Sequence, residues 1–206
     1  MHRVIAEISD ANNWRDGEFA NFKINSTGVD ENLWYRMCIP MIYAHWEGYV
    51  VDSLKTLIGY LNGLNLDPNR VQTYLVVVGM GDTYKKLSGK QSFEQRVEFT
   101  NVFSELYREN MKFARKINTK SNLKSSVLKE LCDMFGFRFD KFNDFTSDID
   151  RLINIRNSIA HGENSFLPDQ DNVEKYINAV NGATDVLLSE IEIFLESETY
   201  LERRTA

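Results

Sequence analysis

The stretch from residue 31 to 61 constrains the fold more than any other part of this chain. Ile39, Ile42, Trp46, Tyr49, Val50, Leu57 and Leu61 recur at helical spacing and mark one face. The other side is apolar as well, around Ala44, Val51 and Leu54. A helix that is apolar nearly all round has to lie at the centre of its domain. The remaining elements must then pack around it.

Those elements also read as helices. A first helix is expected over residues 4–24, weakened at Gly17, with a turn at 27–30. Asp67-Pro68 reads as an N-cap followed by proline at the first helical position. Leu75-Val76-Val77-Val78 suits a strand by propensity, but no partner strand is visible, so helix is favoured. A polar loop is expected at 83–92, then helices at 93–113 and 125–135, and an irregular aromatic stretch at 137–146. Another helix runs from about 147 to 161. The last is marked by Val173, Tyr176, Ile177, Val180, Leu187, Leu188, Ile191 and Phe194. With three prolines, no repeat and no low-complexity linker, residues 1–206 read as one all-α domain.

Charge and cysteine usage narrow the function. The net charge of −6 argues against broad, nonspecific binding to nucleic acid, though not against a local cationic groove. Cys38 and Cys132 stand far apart among apolar neighbours and read as buried thiols in a reducing cytoplasm. No run is long enough for a membrane span, and the N-terminus has no signal-peptide core.

The segment Arg156-Asn157-Ser158-Ile159-Ala160-His161-Gly162-Glu163 carries the chemistry. Ile149, Leu152, Ile153, Ile159 and Ala160 form an apolar stripe, and Arg156 falls within it. An arginine keeps its charge indoors, so it must meet a carboxylate, a phosphate or water. His161 is turned by about 140° from Arg156, while Asn157 lies one turn before it on nearly the same face. Gly162 suits a helix C-terminus, where imidazole can hold either protonation state near neutrality. From spacing alone, a structural arginine with a surface histidine at a helix end is the favoured reading.

The run R-N-x-I-A-H-G resembles the signature of HEPN-domain proteins, many of which are metal-independent ribonucleases. Tyr43-Ala44-His45-Trp46-Glu47-Gly48-Tyr49-Val50 is similar to a second pattern, an aromatic-Glu-Gly-aromatic run in the MAE-type and RiboL-PSP-type HEPN branches. The resemblance implies an all-α, HEPN-like helical bundle with additional helices. It also implies a homodimer in which two motifs face each other, and a role in toxin–antitoxin or antiviral systems with an antitoxin or regulatory partner protein. Burial and resemblance together place Glu47 facing or supporting Arg156. Where toxins silenced by nucleotidyltransferases carry a tyrosine, two residues after the histidine, this chain has Glu163, so control by modification there is not expected.

RNA brings its own nucleophile, the 2′-hydroxyl. Histidine suits proton transfer near neutral pH, and arginine suits the extra charge of a phosphorane. Arg156, Asn157 and His161 are therefore the candidate catalytic residues, with Asn157 orienting the histidine or donating to a phosphate oxygen. The rival is a non-catalytic HEPN module that binds a nucleotide or a partner protein through Arg156. Arg108, Lys112, Lys116, Lys120 and Lys124 recur every four residues, with Arg115 beside them. If helical, they form a cationic stripe for RNA, and a solvated face is the alternative. No cofactor or metal is expected: His2, His45 and His161 fall into no ligand pattern, and Gly79-Met80-Gly81 lacks the context of a P-loop. His45 reads as a packed or polar-edge residue, and Trp14, Trp34 and Trp46 as core.

Overall fold

The computed structural model of the chain describes residues 1–24, 29–81, 91–164 and 166–202. Among these residues it is all-α, with eight α-helices and one isolated β-bridge, Val71 to Leu201. The helices are α1 (Arg3–Asn12), α2 (Trp14–Ile24), α3 (Glu31–Gly63), α4 (Thr73–Met80), α5 (Phe93–Leu106), α6 (Ser125–Phe135), α7 (Asn143–Ala160) and α8 (Gln170–Glu196). No helix among them is long and apolar enough to cross a membrane.

α3 takes the central place that its all-round apolarity demands. It packs against α8, α7, α1 and α2, while α7 also lies along α8. Ile39, Ile42, Trp46, Val50, Leu57 and Leu61 are almost wholly withdrawn from solvent. Asp30 starts the helix by accepting from the Leu33 N–H at 2.8 Å, satisfying one of the donors a helix start leaves over. Asp169 does the same for α8, toward Asn172. Asp67 caps a 3₁₀ turn at Pro68–Arg70, and the valine run after it is helical, in α4.

Several boundaries differ from the sequence expectation. Residues 4–24 form two helices that break at Asn13, not at Gly17, which sits inside α2. The turn at 27–30 and the loop at 83–92 fall mostly outside the described residues. α7 begins at Asn143, inside the stretch expected to be irregular, after a 3₁₀ turn at Phe139–Phe142. On α7, Ile149, Leu152 and Ile153 are buried as expected, but Ala160 is exposed and Ile155 is buried instead. Trp46 is core, whereas Trp14 stands at the surface. Cys38 and Cys132 are buried free thiols. Burial raises them to about 11 and about 12, which keeps both as unreactive thiols.

The largest difference is the helix expected over 93–113. It stops at Leu106, and residues 107–124 run without regular structure. Apart from local turns such as Lys116 to Ala114 and Asn122 to Thr119, their backbone groups find partners on or beside α3. Asn62 exchanges two bonds with Phe113, the Met111 N–H reaches the Leu66 carbonyl, and Trp46 Nε1 donates to the Leu123 carbonyl. Lys120 and Ser121 adopt φ of 55° and 53°, which a continuing helix does not allow.

Gly136 ends α6 at φ 70°, and a Cβ there would stand 2.7 Å from Tyr74 Cζ. Gly136→Ala is expected to cost at least about 1–2 kcal/mol from the left-handed backbone alone, before the contact is relieved. A lowered urea midpoint with an unchanged slope would measure it.

Candidate active site and a buried polar centre

The end of α7 is built as a Schellman turn. The Glu163 N–H reaches the Ser158 carbonyl and the Gly162 N–H reaches the Ile159 carbonyl, each at 3.0 Å. Gly162 supplies the φ of 76° this turn requires. His161 is the C-cap, and its ring is exposed without a hydrogen bond to any described side chain. Arg36 of α3 closes over the turn, donating to the Glu163 carbonyl at 2.5 Å and to Asn164 Oδ1 at 2.7 Å. Arg36 was not legible as a site residue. Its one signal is helical register, because positions 36, 43 and 47 share one face of α3.

Arg156 is half-buried with its Cζ 4.4 Å from the centre of the Tyr43 ring. Nη1 donates to Asn157 Oδ1 at 2.9 Å, and Asn157 Nδ2 donates in turn to Asn122 Oδ1 at 3.3 Å. Among the described residues no carboxylate forms an ion pair with Arg156. Its charge rests on an aromatic face and a neutral amide, which leaves most of its donors free.

Glu47 lies on the same face of α3 and reaches Arg156 only through Tyr43. It hydrogen-bonds the Tyr43 hydroxyl, which also accepts from the Leu123 N–H, and takes a bond from Thr119 Oγ1. Burial, chiefly, with Glu47 alongside, pushes the Tyr43 hydroxyl up to about 12, so it stays a neutral donor. Glu47 therefore holds the platform beneath Arg156 and makes no direct pair with it.

The basic series does not form a helical stripe, because it lies on the irregular segment after α5. Arg108 and Lys112 border a shallow pocket at the far end, and Arg115 lies against Gly59. Lys116 is exposed, and Lys120 pairs with Glu130. Lys124 alone of the series reaches α7, donating to Asn154 Oδ1 at 2.7 Å. Asn154, Asn157, Ser158 and His161 follow at i, i+3, i+4 and i+7, so Lys124 stands at the near end of the polar face that carries the motif.

The second motif has another half. His45, Gly48 and Asp52 project from α3 opposite to Tyr43 and Glu47, and meet Arg15 of α2. Arg15 Nε donates to Asn12 at 2.7 Å, Nη1 lies 3.2 Å from His45 Nδ1, and Nη2 lies 3.3 Å from Asp52. A Cβ on residue 48 would be 3.0 Å from Nη2, so Gly48 leaves room for the guanidinium. Trp14 stacks on the outer side of Arg15, 4.6 Å away. His45 is thus a packed residue with a charged neighbour.

An arginine can only donate, so His45 Nδ1 accepts and Nε2 carries the proton, 2.9 Å from Glu18. Burial first, and then Arg15, lower the His45 pKa below 6.5, against the opposing pull of Glu18. The unfolded chain therefore binds a proton that the folded chain refuses between the lowered value and 6.5. Stability is complete above about 6.5 and falls as pH drops through that window. Urea midpoints measured downward from neutral pH are expected to fall more steeply for wild type than for His45→Asn.

The family model for RiboL-PSP-HEPN matches residues 10–196. No curated protein and no solved structure matches the chain. That match takes in both motif segments, the helices that carry them and the bundle around α3, and the chain belongs to the RiboL-PSP-type HEPN family.

Proposed function

We propose that this protein is a metal-independent endoribonuclease whose reaction centre is Arg156, Asn157 and His161. The observation that supports the reading is a half-buried Arg156 with no carboxylate partner among the described residues, set on Tyr43 one and a half turns before an exposed imidazole. A scissile phosphate supplies the missing charge. One His161 removes the 2′-hydroxyl proton, and the 2′-oxygen attacks phosphorus. The P–O5′ bond then breaks, and a second, protonated imidazole gives its proton to the leaving oxygen. Arg156 stabilises the phosphorane through its free donors. Lys124 and Asn154 hold an adjacent phosphate, and the more distant basic residues, Arg108, Lys112, Arg115, Lys116 and Lys120, contribute long-range attraction.

One protomer offers one imidazole, so the second comes from a second copy. Leu33, Met37 and Met41 are exposed at 57%, 59% and 46%, and recur every four residues on α3 beside Arg36. This apolar ridge flanks the motif end and gives a two-fold interface something to bury. A cytoplasmic nuclease of this kind needs restraint in its own cell, which fits a toxin or antiviral effector kept silent by a partner protein.

Purified protein is expected to cut RNA in the presence of EDTA and to leave 2′,3′-cyclic phosphate and 5′-hydroxyl ends. Loss of cleavage in EDTA, or 5′-phosphate ends, would overturn the mechanism. RNA left intact under all conditions would favour a binding module.

A further inference from the structure

The face of α3 that bears His45 and Tyr49 closes a cavity of about 350 Å³ against α1, α2 and α8. It lies across the helix from Tyr43 and Glu47, away from the proposed reaction centre. Its floor is polar and buried, with Arg15 at 8% exposure, His45 at 3% and Tyr49 at 9%. Its rim carries two exposed carboxylates, Asp16 from α2 and Asp185 from α8.

Charge is distributed unevenly between floor and rim. A buried guanidinium is costly unless an anion lies against it. The carboxylate touching Arg15 is Asp52, at 3.3 Å through one nitrogen, and the Asp52 side chain is 57% exposed. Glu18 acts across the His45 ring. The other two contacts are neutral acceptors, Asn12 and His45. A guanidinium has five N–H groups, so two remain after these three bonds. The floor therefore keeps two unused Arg15 donors beside an ion pair made through one nitrogen to a solvent-facing carboxylate, while the rim holds two further carboxylates.

We propose that this cavity binds a small zwitterion of the free α-amino-acid class. Its carboxylate takes the remaining Arg15 donors, its ammonium lies at Asp16 or Asp185, and its side chain rests against Phe19 and Val180. A phosphate ester would carry its charge past two like charges at the rim. A simple amine would leave the two remaining Arg15 donors unused. The volume is near the lower limit of small-molecule pockets, about 300 Å³, which suits a ligand of this size better than a nucleotide.

The test is thermal unfolding of the full chain with each standard amino acid in turn, and with inorganic phosphate and methylamine for comparison. At least one amino acid is expected to raise Tm with concentration and to titrate calorimetrically to one site. Its N-acetyl form and its methyl ester, each lacking one charge, are expected to bind at least about tenfold more weakly. Asp185→Asn, on the exposed rim, should weaken binding on the same scale. Asn181→Leu fills the cavity from α8 without touching the Arg15 bonds and should abolish binding. The site is refuted if no amino acid shifts Tm, if phosphate or methylamine binds better, or if binding survives Asn181→Leu. None of these readouts involves RNA, so the proposed nuclease activity stands or falls separately.

Discussion

Replacing His161 with alanine is expected to lower RNA cleavage by about 10²–10⁴-fold, the range for loss of a positioned acid–base group. Arg156→Ala should lose about 10²–10³-fold or more, because its donors act on charge that appears in the transition state. Neither change is expected to unfold the protein. The His161 ring is exposed at a helix end, and Arg156 gives up a contact with Tyr43 and one amide bond. Arg156→Lys should recover little, since an ammonium lacks the fork that meets two phosphate oxygens. The same two variants test the composite site. Refolded together with wild-type chains, His161→Ala in excess should lower activity more than dilution alone, because a hybrid dimer holds a single imidazole, whereas Arg156→Ala keeps both imidazoles and should lower it less. Wild-type rates for His161→Ala would remove the histidine from the mechanism. A monomer that still cuts RNA would remove the two-fold site.

Trp46→Ala is expected to give the largest loss of stability in the chain, about 3–5 kcal/mol. Trp46 is 0% exposed at the middle of α3, and its Nε1 donates to the Leu123 carbonyl at 3.2 Å. Truncation opens a void in the central layer and also leaves that carbonyl without its donor. Leu123 follows Asn122, which holds Asn157, so the damage is expected to reach the site. Trp46→Phe separates the two effects. It keeps most of the buried surface, and its stability loss should be closer to about 1–3 kcal/mol for the unsatisfied carbonyl. Chemical denaturation of both variants measures the difference. A Trp46→Ala midpoint equal to wild type would show that α3 does not organise the core as described.

Helix periodicity read from sequence located the large elements because a buried stripe is a local property. α3 and α8 show it over many turns, and the Gly162 stop was legible because the Schellman turn needs a left-handed residue. Residues 107–124 defeated the same reasoning. Their regular spacing of lysines suggested a helix, but a charge repeat says nothing about who satisfies the backbone. Asn62, Trp46 and Tyr43 satisfy part of it from α3, far away in sequence.

By itself the sequence determined an all-α chain built on one apolar helix, the family, and an Arg-Asn-x₃-His segment ending at glycine. Tertiary structure decided what those residues meet. It set Arg156 on Tyr43 rather than on Glu47, brought Asn122 and Lys124 to α7, and laid Arg36 over the motif turn. It also divided the second motif, sending Tyr43 and Glu47 to one side of α3 and His45 and Gly48 to a buried arginine on the other. The physical reason is that residues at helical spacing share a face by local geometry alone. The charge or ring opposite that face is supplied by another element, and its position depends on how the whole bundle packs.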